Sequence, residues 1–244
     1  MKKFLLLTLI VAFVSVLPLN AAIANESKDG WDVEYEAKEV KDKELLYDRA
    51  KKGITDYAGE QANGIQATLK NNDTGQEKNI TMVSTTQKLK KQKKGNQIIE
   101  SYATTSFAIV AAGYGGSGSD ASSKTDPSIG VRANSTVYWD NYTDSNNAPY
   151  KDITSATGSW DILDPTFYLR DQQVRLVAQG AIPGGFSQNV DKWWTSGMTF
   201  YVAAPTEWQP ILIATHTTRA LGSDMLCTIH DATTSWSFRF DHRI

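Results

Sequence analysis

From residue 130 to residue 242 one pattern repeats: an extended run rich in Val, Ile, Thr, Tyr and Trp, then a short break of Gly, Pro, Asn or Asp. The runs fall at about 130–143, 149–161, 165–179, 197–204, 208–217, 224–231 and 234–242. Turn residues separate them at Asp144 to Asn147, at Pro183-Gly184-Gly185 and at Leu221 to Asp224. Within Thr166 to Leu176 the alternation is interrupted by Arg170-Asp171-Gln172-Gln173, which reads as a turn or a bulge. Such a succession of strands predicts an antiparallel β-sandwich or a partly open barrel.

The first hundred residues differ. Residues 25–100 hold 28 charged side chains in 76 positions, whereas residues 101–244 hold 22 in 144. Trp31 to Ala37 alternates at the strand period and suits an edge strand. Leu46, Ala50, Ile54 and Tyr57 recur at helical spacing after Asp42, an N-cap residue, which predicts a helix over 43–57 that Gly53 weakens. Lys94-Gly95-Asn96 then joins two extended segments into a long hairpin, with Lys88, Lys90, Lys91, Lys93 and Lys94 near its tip. These lysines either keep the hairpin soluble or form a patch for an anionic surface. The expected organisation is a charged N-terminal α+β region at 25–112, a Gly/Ser-rich linker at 113–127 and an antiparallel β domain at 128–244.

Residues 1–24 read as an export signal: Lys2 and Lys3, an apolar run from Phe4 to Pro18, and a small-residue site at Ala22-Ile23-Ala24, with cleavage expected after Ala24. The mature chain is then secreted, of a size that buries an adequate core, and near −4 with 23 basic against 27 acidic groups. That balance excludes a dedicated nucleic-acid binder. Cys227 is the only cysteine, so no intramolecular disulfide is available. Ser135-Thr136-Val137-Tyr138, Gly158-Ser159-Trp160 and Val174-Arg175-Leu176 resemble poorly characterised secreted β-rich proteins of Gram-positive bacteria. The resemblance spans the last half of the chain, implies secretion and a β fold, and carries over no catalytic residue. The sequons at Asn79, Asn134 and Asn141 are expected to be unoccupied in such a protein.

Catalytic patterns are weak. Gly113, Gly115 and Gly118 mimic a dinucleotide fingerprint, but Ser119 to Pro127 is poor helix material, and no nucleophile elbow is completed there. Cys227 and His230 are three apart on an expected strand and therefore on opposite faces, which favours a buried, inert thiol. His216, His230 and His242 lack metal-ligand spacing, so neither a metal nor a cofactor is expected. Asp161 with Asp164, and Asp191 with Glu207, are the acid pairs a glycosidase would need.

Of seven tryptophans most are expected in the core, while the adjacent Trp193 and Trp194 must point to opposite faces of a strand. With Tyr138, Tyr142 and Tyr150 they form the candidate ligand platform. The expected function is non-catalytic binding at the cell envelope or on a neighbouring cell surface, to a cell-wall polymer, another carbohydrate or an anionic membrane. A secreted polysaccharide hydrolase and a membrane-active, toxin-like protein are the alternatives.

Overall fold

The computed structural model describes residues 30–58, 66–111, 129–144, 146–213 and 220–244. The expected signal, the expected linker and His216 lie outside the described residues. In chain order the elements are β1 Asp32–Glu36, α1 Lys43–Lys51, β2 Gln66–Asn71, β3 Glu77–Asn79, β4 Thr81–Lys94, β5 Gln97–Ala111, β6 Ile129–Thr143, β7 Pro149–Ile162, β8 Tyr168–Ala181, β9 Ser187–Thr195, β10 Thr199–Ala203, β11 Ile211–Leu212, β12 Ala220–His230 and β13 Ser235–Arg243.

The strands form two antiparallel sheets packed as a β-sandwich. The first runs β1-β4-β5-β6-β7-β10, with β11 also on β7; the second runs β3-β2-β13-β12-β8-β9. The charged N-terminal segment supplies strands to both sheets: β1, β4 and β5 to the first, β2 and β3 to the second. The lysine-rich hairpin is the β4–β5 pair, whose ladder runs from Thr81↔Ile109 to Lys94↔Gln97.

Alternation decides which residues meet between the sheets. On β6 Val131, Ala133, Ser135, Val137 and Trp139 face inward, and on the second sheet Leu176, Met225, Phe238 and Phe240 answer them. Trp139, Trp160 and Trp236 are buried, and Trp194 and Trp208 pack against the same core. Polar groups also cross the interior: Ser135 Oγ lies 2.7 Å from Ser223 Oγ and 3.1 Å from His242 Nδ1. Burial pushes the His242 ring down to about 3, so it is neutral at ordinary pH. Burial pushes the Cys227 thiol up to about 12, consistent with an inert core residue.

Three local differences from the sequence reading have physical causes. Helix α1 starts where expected, with the Asp42 carboxylate accepting from Glu44 N and Leu45 N, but ends at Lys51 rather than Tyr57. Gly53 adopts φ 66°, and the bonds Gly53 N to Ala50 O and Ile54 N to Arg49 O close the helix in a Schellman motif. The stretch Leu221 to Asp224, read as a turn, lies inside β12. Gly222 is there because a Cβ would sit 1.9 Å from the His242 carbonyl oxygen, so this glycine marks a close approach of strands. The runs read from sequence leave a gap between 179 and 197, where only the opposed Trp193 and Trp194 imply a strand without bounds; β9 runs there and carries both. The expected interruption at Arg170–Gln173 is a bulge within β8: Asp171 has φ 55°, and the β12 register jumps from Leu226↔Gln173 to Thr228↔Arg170.

The outer face of the first sheet is crossed by a strap. After β1 the chain leaves the β4 edge, and the Gln87 side chain accepts from Val40 N at 2.8 Å and donates to Val40 O at 3.1 Å. The strap then passes over β6 and β7, with Tyr138 donating to Glu39 and Lys43 donating to Asp161. It ends in α1, whose Leu46 and Ala50 pack on Phe107 of β5.

Candidate binding site on the outer face of the first sheet

A bulge at Thr154 of β7, opposite the step from Tyr138 to Trp139, sets the phase of the first residues of β7, while β6 keeps its alternation. Trp139 points into the core, so Asp140 and Tyr142 point outward. On β7 the directly opposite residues are Asp152 and Tyr150, and on β5 they are Ser101 and Ile99. One rung thus reads Ser101, Asp140, Asp152, and the next reads Ile99, Tyr142, Tyr150. The rings of Tyr142 and Tyr150 stack at 5.3 Å and 20°. Ile99, Asp140, Tyr142 and Asp152, with Trp31 from the chain entering β1 and Pro210 from the loop before β11, line a cavity of about 320 Å³.

Facing carboxylates in a partly desolvated place resist ionising together. Burial, reinforced by the Asp140 charge, raises Asp152 to about 6. Burial also raises Asp140, against the opposing pull of a hydrogen bond from Ser101 and the charge of Lys90. Tyr142 is raised by its burial and by Asp152 beside it. Among the described residues neither aspartate takes part in an ion pair. Such a pair can hold a proton, or a cationic group of a ligand, between aromatic walls.

The residues expected from sequence to form a platform are divided between the sheets. Tyr138, Tyr142 and Tyr150 are on the outer face of the first sheet, where Tyr138 is tied to Glu39 under the strap at 2.6 Å. Trp193 is on β9 of the second sheet, 44% exposed, with the Arg175 guanidinium 4.8 Å from its ring centre. Trp194 turns the other way and packs against the core.

Four of the five hairpin lysines face acidic neighbours, and Lys94 lies against an aromatic ring. Lys88 pairs with Glu100 at 2.6 Å and Lys91 with Glu34 at 2.7 Å. Lys90 and Lys93 stand opposite Glu36 and Asp32 of β1, and the Lys94 ammonium lies 5.9 Å from the Trp31 ring centre.

Of the acids suggested by sequence, Asp161 and Asp164 are held ionised. Asp161 receives Lys43, Ser159 and Arg132, and these outweigh its burial and lower it. Asp164 is lowered by the amide and hydroxyl of Thr166. Asp191 lies 3.9 Å from Arg175, and Glu207 is exposed. His230 stacks on Tyr168 at 4.8 Å, far from the role of a ligand cluster. Among the described residues no three His, Cys, Asp or Glu side chains gather as a metal site.

Sequence reasoning did not single out Asp140 and Asp152. A signal was present: both lie six residues from the centre of the turn at 146, as Tyr142 and Tyr150 lie four from it, and equal distance from a hairpin turn means opposition across the ladder. No family model, no curated protein and no solved structure matches the chain.

Proposed function

We propose that this chain is an exported, non-catalytic binding protein of a Gram-positive bacterium, acting at the cell envelope or on a neighbouring cell surface. The cavity at Asp140 and Asp152 receives a positively charged group of its ligand, such as an amine on a surface polymer. The supporting observation is that two opposed aspartates are drawn together in an aromatic-lined cavity while no described cation pairs with them. A cation entering there relieves their repulsion and stacks beside Tyr142 and Trp31. The hairpin lysines contribute less to this reading, because acids of β1 and β5 stand against them.

The test is titration of residues 25–244 with chitosan oligomers, which carry free amines, and with chitin oligomers, which carry none, beside co-sedimentation with purified Gram-positive walls. Saturable binding to chitosan and to walls, lost in Asp140→Asn and Asp152→Asn, is the expected result. Equal binding to both oligomers, or none to either, would discard the cationic-group reading.

A polysaccharide hydrolase is the second reading, favoured by one observation. Directly opposed strand residues place their Cβ atoms about 5 Å apart, a spacing compatible with the close carboxyl pair of a retaining glycosidase, and Asp152 is raised to about 6 as a general acid requires. Release of reducing sugar from the same wall preparations, abolished in Asp152→Asn, would favour it over simple binding.

A further inference from the structure

A second cavity lies between the strap and the first sheet, about 350 Å³ in volume. Its composition changes along the strap. At the α1 end the sheet is apolar, with Phe107 and Val83 under Leu46 and Ala50. Toward Glu39 the same face carries Thr105, Asn134, Thr136, Thr157 and Ser159, all lining the cavity. Thr105, Asn134 and Ser159 are buried at 5% exposure or less, where a sheet covered by its own chain would ordinarily present aliphatic side chains.

The hydrogen bonds already made leave specific capacity unused. Asn134 donates to Ser159 Oγ at 2.7 Å, and among the described residues no donor reaches its carbonyl oxygen. Thr105 and Thr136 share one hydrogen bond at 2.8 Å, which consumes one hydroxyl proton and leaves the other to give. Ser159 is saturated, donating to Asp161 and accepting from Asn134 and Lys43. The charges at the rim are internally matched: Lys43 to Asp161 at 2.7 Å, and Glu39 to Lys41 at 3.6 Å and to the Tyr138 hydroxyl. A free acceptor and a free donor side by side, with no unmatched charge and with Phe200 and Leu46 as apolar walls, suit a group that both gives and takes a hydrogen bond and carries C–H faces.

We propose that the cleft beneath the strap binds a neutral, hydroxyl-rich ligand, a short saccharide segment, independently of the aspartate pair. Tyr201, 68% exposed on β10 and directly opposite Thr157, offers a ring at the mouth on which a further sugar residue stacks. The size suits this class, falling at the lower end of small-ligand cavities.

The experiment follows backbone amide resonances of residues 25–244 during titration with maltotriose, cellotriose and the trimer of N-acetylglucosamine. At least one is expected to shift amides around Thr105, Asn134, Thr136 and Thr157 in a saturable way. Tyr201→Ala and Thr157→Val, both at the accessible part of the site, are expected to weaken that binding by roughly three- to tenfold each while the melting temperature stays near that of the parent. Asp152→Asn is expected to leave these shifts unchanged, which separates failure of this proposal from failure of the cationic-group reading. Absence of shifts at these amides with all three sugars at millimolar concentration, or shifts indifferent to both substitutions, would overturn it.

Discussion

Asp140 and Asp152 face one another directly across the β6–β7 ladder, on the outer side of a sheet whose inner side buries Trp139 and Ile153 at the next rung. Their mutual position makes the site a source of instability when both are charged. The unfolded Asp152 releases its proton near the ordinary value of 3.8, the folded one near 6. Between those values the folded state binds more protons, so this group's contribution to stability falls as pH rises from about 4 to about 6. Asp152→Asn is expected to stabilise the protein by about 1 kcal/mol at pH 7.5, after discounting for solvent screening, and to change little at pH 4. Urea unfolding at both pH values measures this. A variant less stable than the parent at pH 7.5 would count against the strained pair.

His242 is expected to show the opposite slope. Its folded value of about 3 lies below the ordinary 6.5, so the unfolded chain binds the extra proton between those limits. Stability from this group is complete above about pH 6.5 and declines as pH falls, by at most about 1.4 kcal/mol per pH unit. His242→Gln retains a polar partner for Ser135 and removes the proton linkage. Chemical denaturation from pH 7 to pH 4.5 is expected to show a shallower loss in the variant than in the parent.

The strap is fastened by an asymmetric cluster. Arg132, with its side chain 7% exposed, reaches Glu44 at 2.5 Å and Asp161 at 3.3 Å and lies over the Tyr47 ring, whereas Glu44 is 71% exposed. Removing the buried partner leaves Asp161 with Lys43 as its one cation beside the Ser159 hydroxyl, so Arg132→Met is expected to cost about 2–3 kcal/mol. Glu44→Gln removes only a solvent-screened contact and is expected to cost less than about 1 kcal/mol. Equal losses in equilibrium unfolding would show that burial does not set the value of this cluster.

Gly158 sits where β7 meets both β6 and β10. A Cβ there would lie 2.3 Å from the Asn134 carbonyl oxygen and 2.6 Å from the Phe200 ring. Backbone cannot yield as a flexible side chain does, so Gly158→Ala is expected to destabilise by more than about 2 kcal/mol and to loosen β10. Hydrogen exchange of the Thr199–Ala203 amides, compared with the parent, reads the second effect.

Much of the sandwich was legible in sequence because strand period, turn residues and apolar alternation are local properties. β6, β7, β8, β12 and β13 lie close to where alternation places them, and the Asp42 cap and the β4–β5 hairpin come from short-range rules. β9 escaped because it is an edge strand whose burial pattern is mostly exposed, so its residues carry little apolar periodicity. The helix end and the Leu221 to Asp224 segment turned on glycines with different tasks, one supplying a left-handed conformation and the other room for a neighbouring strand.

The candidate site was less legible because it depends on which strands become neighbours. Sequence by itself determined the alternating faces of each strand, the places where the chain turns, and the burial of Cys227, since these depend on residues within a few positions of one another. Only the tertiary structure decided that Tyr142 and Trp193 belong to different sheets, that the lysines of β4 meet the acids of β1, and that a strap roofs a polar face between Thr105 and Ser159. Those outcomes rest on pairing between segments distant in the chain, and the free energy that selects them is burial summed over both sheets, which no local window contains.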